Sequence, residues 1–351
     1  MKILFITDLY PVSEVEKVTP RTLCSFVYEW EKAGHEVHVL KPNFLLNSFI
    51  RKKPFYKTGQ YNKVFNANFL TPFWFNVAKK IPEYEYDVIV AHMPSGIIFS
   101  NKLNGKKVCA VHVSDIQVLT NPVYGIYFKK QMETAYKNAS AIACRSQVLK
   151  NKFLKLYPQY EDKTFTCESG IDFEPVLSAN VSRKNIVTCA NLIKRKNMDK
   201  LVSAVNQMPE MNLTVIGDGA ELNRLKKISK SNINFTGRLQ RADVIEKMKQ
   251  SDIFILPSIN ETFGAVYLEA MASGCLTVGV KNDGVDGIIK NGENGFLIEP
   301  SVEEIKSILK TICELSDENF KNILQNCYNT VNSYKSVDCA ERYIKNILKI
   351  M

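Results

Sequence analysis

The sequence predicts an α/β protein built from two doubly wound domains in tandem. Three observations carry this expectation. The chain has 351 residues, more than one ordinary hydrophobic core accommodates. Short apolar, β-branched runs alternate with helical patterns along most of its length, which indicates parallel sheets. The alternation also restarts after an irregular stretch near residue 170.

The elements follow in order. KILFITDL at the N-terminus reads as a buried strand. A helix follows at about 21–33, with Cys24, Phe26, Val27 and Trp30 at helical spacing and Gly34 as its stop. HEVHVLKP, DVIVAHMP (87–94), KVCAVHV (107–113) and SAIACRS (140–146) are further short strands. The irregular segment holding Pro175 reads as a linker. A second series begins with the strand 185–192. It continues through strands 211–219, 233–239, 252–258 and 276–281, each separated from the next by a helical pattern. Residues 302–349 read as two or three helices, the last over 336–350. The expected division is 1–172, a linker at 173–184, a second domain at 185–334, and 335–351 as a helix crossing back to the first. Sheets of this kind bind ligands at the carboxyl ends of their strands, and every candidate below falls just after a strand.

An apolar content of 45% with 23% charged residues belongs to a soluble globular chain. No apolar run reaches the roughly 18–20 residues that span a bilayer. Asp8 interrupts the short apolar N-terminus, which argues against a signal peptide. Nine cysteines, with none in a CxxC pair, suit reduced thiols in the cytoplasm.

Net charge is +10, and its distribution is uneven. Residues 1–150 carry 20 Lys+Arg against 11 Asp+Glu. From Val37 to Pro82 no acidic residue occurs, while Lys41, Arg51, Lys52, Lys53, Lys57, Lys63, Lys79 and Lys80 are interleaved with aromatics. That composition suits an anionic membrane surface, with residues 41–80 docking on the inner face of the cell membrane. It also suits nucleic acid, but no recognised nucleic-acid motif is present, so no nucleic acid is expected. The bland alternative is an aromatic core with a solvated basic face.

The most informative stretch is 257–298. Glu261 and Glu269 stand eight residues apart around a Phe-Gly turn. Glu269 sits among Val266, Tyr267, Leu268, Ala270, Met271 and Ala272, a helix apolar nearly all round. An ionised carboxylate buried there needs a partner, and a hydroxyl-rich ligand would supply one. Upstream, Lys194, Arg195 and Lys196 stand together before a helix, where the dipole favours anions. An anionic ligand would resolve that conflict.

These residues carry a resemblance. Pro257-Ser258, Glu261-Thr-Phe-Gly264, Leu268-Glu269-Ala-Met-Ala272, Gly274 and Gly292-Glu-Asn-Gly295-Phe296 resemble the E-x7-E signature of the retaining family 4 glycosyltransferases. The resemblance covers about 45 residues. It implies the GT-B fold, two Rossmann-like domains facing across a cleft, and a nucleotide-diphosphate sugar as donor substrate with no other cofactor. It also implies a glycan or lipid-linked acceptor. Glu269 would meet the ribose hydroxyls and Glu261 the donor sugar. The backbone of Thr262, Phe263, Gly264 and Ala265, where a helix opens, would meet the diphosphate. Arg195 and Lys196 would clamp the diphosphate as it leaves. Gly217, Arg238 and Leu239 occupy strand-end turns that meet the nucleotide in the family. His112, in His-Val-Ser-Asp115, resembles the family's H-G-x-D element beside the donor sugar. Glu261, His112 and Lys196 are therefore the expected catalytic residues. His92 and His35 read as structural.

The chain also departs from the pattern. Asn191 stands where the family has an arginine, and Asn197 where it has a glycine. Thr19-Pro20-Arg21-Thr22 replaces the usual Gly-Gly of the first loop, so acceptor contacts do not transfer. No cluster with metal-ligand spacing and no D-x-D element is visible, so no metal is expected. Two rival readings are a same-fold sugar-nucleotide epimerase or hydrolase, and a basic nucleic-acid-binding protein.

Overall fold

The computed structural model describes residues 1–11, 22–44, 64–69, 85–178 and 182–351. The described chain forms two compact units, Met1–Ser169 with Ser336–Met351, and Gly170–Lys335.

The first unit is built on a parallel seven-stranded sheet. Its strands are β1 (Lys2–Ile6), β2 (Glu36–Phe44), β3 (Val64–Phe69), β4 (Val88–Ala91), β5 (Lys107–Val111), β6 (Ala141–Cys144) and β7 (Thr164–Thr166). They lie in the order β3-β2-β1-β4-β5-β6-β7, with the strand order reversing beside β1. That reversal is the switch point of a doubly wound sheet. Strands β4, β5 and β6 are buried throughout, as expected where helices cover both faces. The helices are α1 (Cys24–Lys32), α2 (Met93–Ser100), α3 (Val113–Thr120), α4 (Pro122–Asn138), α5 (Gln147–Leu156) and the C-terminal α12 (Ser336–Leu348). Helix α12 packs on α1: Trp30 donates from its indole nitrogen to the Ala340 carbonyl at 3.0 Å, and Phe26 and Trp30 meet the Tyr343 ring edge-on.

The second unit repeats the plan. Its strands are β8 (Asn185–Cys189), β9 (Asn212–Ile216), β10 (Ile233–Gly237), β11 (Ile253–Ile255), β12 (Leu276–Val280) and β13 (Phe296–Ile298). The parallel order is β10-β9-β8-β11-β12-β13. Around this sheet pack α6 (Met198–Val205), α7 (Leu222–Ile228), α8 (Arg241–Lys249), α9 (Ala265–Ala272), α10 (Val302–Glu314) and α11 (Asp317–Asn332). The short apolar α9 is largely buried, and Tyr267 fixes it by donating to the Leu256 carbonyl at 2.7 Å. The irregular stretch before β8 is anchored to this unit: Val176 donates to the Ala272 carbonyl, and Asp252 accepts from the backbone of Lys184 and Asn185.

Among the described residues no helix is long and apolar enough to cross a membrane. None of the nine cysteines forms a disulfide, and six are buried. Most of the basic aromatic segment 41–80, and residues 12–21 of the altered first loop, lie outside the described residues. One of its cations is corrected. Lys41 is not part of a basic face; it is 5% exposed and donates to the Tyr10 carbonyl at 2.6 Å.

Candidate active site

In the second unit two loops are laced together at the carboxyl ends of β8 and β11. The first is the turn after β8, where Lys194–Lys196 form a short 3-10 helix ahead of α6. The second is 257–261, after β11. Ile259 donates its backbone N–H to the Arg195 carbonyl at 3.0 Å. Asn197 donates from its side chain to the Pro257 carbonyl at 2.8 Å. Asn197 itself adopts φ 50°, the left-handed conformation, which asparagine tolerates better than most side chains. A glycine, which the resemblance implies at this position, would take that conformation without strain.

Glu261 lies where these loops meet, with its side chain 14% exposed. Its Oε1 accepts from Lys196 Nζ, from Ser258 Oγ and, at 3.0 Å, from Arg195 Nη1. Burial pushes its carboxyl up, but Lys196, Ser258 and Arg195 outweigh that and hold it below the usual range. Two of the three consecutive cations thus find a carboxylate within the protein. Glu261 thus relieves part of the conflict for which the sequence implied an anionic ligand.

Asp283, on the loop after β12, organises the same corner. Its two carboxylate oxygens accept backbone N–H groups from Asn260 at 2.5 Å, Glu261 at 2.6 Å and Gly284 at 2.7 Å. Gly284 must be small, because a Cβ there would sit 2.8 Å from the Glu261 carbonyl oxygen.

Downstream, Phe263 is buried against the Tyr334 ring. Thr262 is half-buried beside it. Gly264 takes φ 78° ahead of α9, and Ala265 is that helix's first residue. Gly264 has no side chain to cap α9, and the first turn of that helix holds no acidic residue.

Glu269 is not a buried carboxylate without a partner. Its side chain is 20% exposed, and its Oε1 accepts from Arg241 Nε at 2.9 Å. Burial raises its carboxyl pKa, and Arg241 only partly offsets this. Arg241 thus supplies one partner for the carboxylate, beside the hydroxyl-rich ligand expected for it. Arg241 escaped the sequence reading, although a cation at the first position of α8 opposes the helix dipole and is itself a signal.

The strand-end turns after β8, β9 and β10 line an open pocket of about 510 Å³ bounded by Asn191, Ile193, Asp218, Gly219 and Arg238. Arg238 is exposed and donates to Asn191 Oδ1 at 3.3 Å. Gly217 has φ 136°, and a Cβ on it would lie 1.9 Å from the Ala190 carbonyl oxygen. Leu239 packs against the domain core.

In the first unit His112 caps α3. The Asp115 carboxylate accepts its backbone N–H at 2.6 Å, and the Asp115 backbone N–H donates to the His112 carbonyl at 3.1 Å. Its Nε2 lies 3.0 Å from His92 Nδ1, and His92 Nε2 lies 3.2 Å from Tyr343 Oη. One of the two facing ring nitrogens donates and the other accepts, as their tautomers set. Burial keeps both rings neutral, with their pKa values well below the ordinary value. His112 Nε2 is thus engaged inside this unit. His92, expected to be structural, is its direct partner.

Known proteins bear on this geometry. A family profile described as glycosyl transferases group 1 matches residues 172–329, and one described as glycosyltransferase family 4 matches residues 20–175. An uncharacterised glycosyltransferase of Methanocaldococcus jannaschii is 27% identical over 64% of this chain and 65% of its own. The Escherichia coli UDP-Gal:alpha-D-GlcNAc-diphosphoundecaprenol alpha-1,3-galactosyltransferase is 24% identical over 74% of this chain and 75% of its own. For three of the curated relatives the matched part spans only 65%, 44% and 26% of their length. Among solved structures, HepE of Anabaena in complex with UDP matches with a TM-score of 0.72 at 18% identity, over 99% of this chain and 100% of its own. At that identity the likeness speaks for the fold, which is GT-B. Two profiles that together run from residue 20 to 329, on a fold of two doubly wound units, place the chain in glycosyltransferase family 4.

Proposed function

We propose that this glycosyltransferase moves a sugar from a nucleoside diphosphate to a hydroxyl of a glycan or lipid-linked acceptor, with retention at the anomeric carbon and without a metal. The observation that carries this reading is the meeting of Arg195, Lys196 and Glu261 at one carboxylate oxygen beside the uncapped opening of α9. Cations, an open helix end and a carboxylate are the groups a diphosphate joined to a sugar requires. Relatives named for UDP-linked donors and a diphosphoundecaprenol acceptor support a nucleotide sugar and a lipid-linked acceptor.

In the proposed reaction the bond between the anomeric carbon and the diphosphate breaks as the acceptor oxygen approaches on the same face. The departing phosphate oxygen takes the acceptor's proton. Lys196, Arg195 and the start of α9 stabilise the negative charge that develops there. Glu261 keeps Oε2 for the sugar hydroxyls, and Glu269 receives the ribose diol. His112 acts by fixing the entry to α3. Polysaccharide or glycolipid synthesis at the cytoplasmic face of the membrane is the setting this acceptor implies.

Nucleotide release from UDP-, GDP- and ADP-sugars, with and without lipid extracts, tests the reading. Acceptor-dependent release with an α-linked product from an α-linked donor is expected. Release of free sugar or an epimerised donor, independent of acceptor, would replace it with a hydrolase or epimerase.

A further inference from the structure

Arg241 joins two carboxylates that are far apart in sequence. Its Nε donates to Glu269 Oε1 at 2.9 Å, while Nη1 and Nη2 donate to the two oxygens of Asp172 at 3.0 and 2.5 Å. The pair with Asp172 is a two-pronged fork, which fixes the guanidinium plane and with it the direction of the Nε–H. Its carbon lies 5.9 Å from the centre of the Phe173 ring, so the flat group is also held from one side. Only one oxygen of Glu269 is engaged by this contact.

We propose that Arg241 is a positioning residue that fixes the Glu269 carboxylate for the ribose of the donor nucleotide, and that Asp172 holds Arg241 in the plane this requires. The inference rests on the assignment of Glu269 to the ribose. A carboxylate has about four lone-pair positions. Arg241 takes one on Oε1, and the three that remain can receive a vicinal diol. Without the guanidinium, Glu269 loses the contact that sets its rotamer and its ion pair together. The ribose contact is then the part of donor binding that weakens.

The test uses the full chain and calorimetric titration of UDP, GDP and ADP. Whichever binds wild type most tightly is then compared with its 2′,3′-dideoxy counterpart. Arg241→Ala is expected to weaken the ribonucleotide about 10- to 30-fold, as for the loss of a charged hydrogen bond. The dideoxy counterpart, which binds wild type more weakly, should change by less than about twofold between wild type and R241A, the coupling of a double-mutant cycle. Donor KM should rise with the Kd while kcat stays within about threefold. Arg241→Lys should recover part of the loss, since an ammonium reaches Glu269 without forking onto Asp172. Asp172→Asn should reproduce part of it. Equal losses for both nucleotides, or no loss in a folded R241A, would overturn the proposal. Glu269→Ala separates the two ideas: if it binds like wild type, the ribose assignment fails; if it weakens binding while R241A does not, only Arg241 fails. Should R241A not fold, Arg241→Gln carries the same comparison.

Discussion

Lys196 Nζ and Arg195 Nη1 donate to the same oxygen of Glu261, Oε1. The second oxygen, Oε2, takes no part in these contacts among the described residues. Lys196 is 8% exposed, so its ammonium is held in place and not merely attracted there. Lys196→Ala should therefore cost transfer activity about 10²-fold or more in kcat/KM, the magnitude for losing one preorganised charge contact. The fold should persist. Steady-state kinetics with circular dichroism checks this, and a folded K196A with full activity would sink the assignment.

The same pair sets a pH dependence. The folded-state carboxyl of Glu261 lies below its ordinary value of 4.5. The unfolded chain therefore takes up this proton first as pH falls. The stabilisation is present above about 4.5 and is lost as pH drops through the depressed folded value. Thermal unfolding followed from pH 7 to pH 3 should show a shallower acid limb in Glu261→Gln than in wild type. An unchanged acid limb would mean that the pair contributes nothing to stability.

Asp283 binds no ligand in the proposed reaction, yet three backbone N–H groups end on it. Removing a buried acceptor leaves those donors unsatisfied, at a cost of about 1–3 kcal/mol for each orphaned group. Asp283→Ala is expected to destabilise the chain by about 2–4 kcal/mol and to lower activity through displacement of Glu261. Asp283→Asn, which keeps one carbonyl oxygen, should fall between. Denaturant titration measures the first effect. A D283A variant as stable as wild type would show that the loop is held by other contacts.

Local pattern made much of this legible. Alternating short apolar runs and helices marked β8 to β12 and the helices between them, because parallel strands covered on both faces are continuously apolar. Glu261, Gly264 and Glu269 stood out because each broke a pattern around it. What remained hidden depends on contacts distant in sequence. Nothing in Asn282-Asp283-Gly284 distinguishes it from an ordinary turn, and its role arises only when β12 brings it beside residues 260 and 261. Arg241 and Asp172 are 69 positions apart. Glu269 looked orphaned because a helical pattern records neighbours on its own helix and not the cation that α8 delivers. The His112–His92 contact likewise joins the ends of adjacent strands β5 and β4.

The histidine pair offers a direct spectroscopic check. Both rings are buried, and each lies in a hydrogen-bonded chain that fixes one proton per ring. Their pKa values lie well below 6.5. The imidazole resonances of His92 and His112 should hold their neutral shifts as pH falls from 8 to about 5.5, a window in which an ordinary histidine becomes charged. Titration of either ring near 6.5 would show that burial does not hold the pair neutral.

Glu269 gives the opposite sign to Glu261 and acts on binding. Its folded carboxyl is raised above 4.5 by burial, with Arg241 offsetting part of the shift. The protonated form is therefore favoured in the empty site at pH values where Glu261 is still ionised. A ribose diol donates its hydroxyl protons and needs the ionised carboxylate as acceptor. Nucleotide affinity should thus fall as pH drops from neutrality toward the raised value, before Glu261 titrates. In Glu269→Gln, binding should be weaker at neutral pH and lose this pH dependence, since the amide does not titrate. The variant should not be less stable than wild type at neutral pH. Above its raised pKa the ionised Glu269 is disfavoured by burial, the neutral amide removes that cost, and Arg241 keeps Asp172 as its partner. Calorimetric Kd values at pH 8, 7, 6 and 5 for the two chains decide it, and parallel curves would detach Glu269 from the nucleotide.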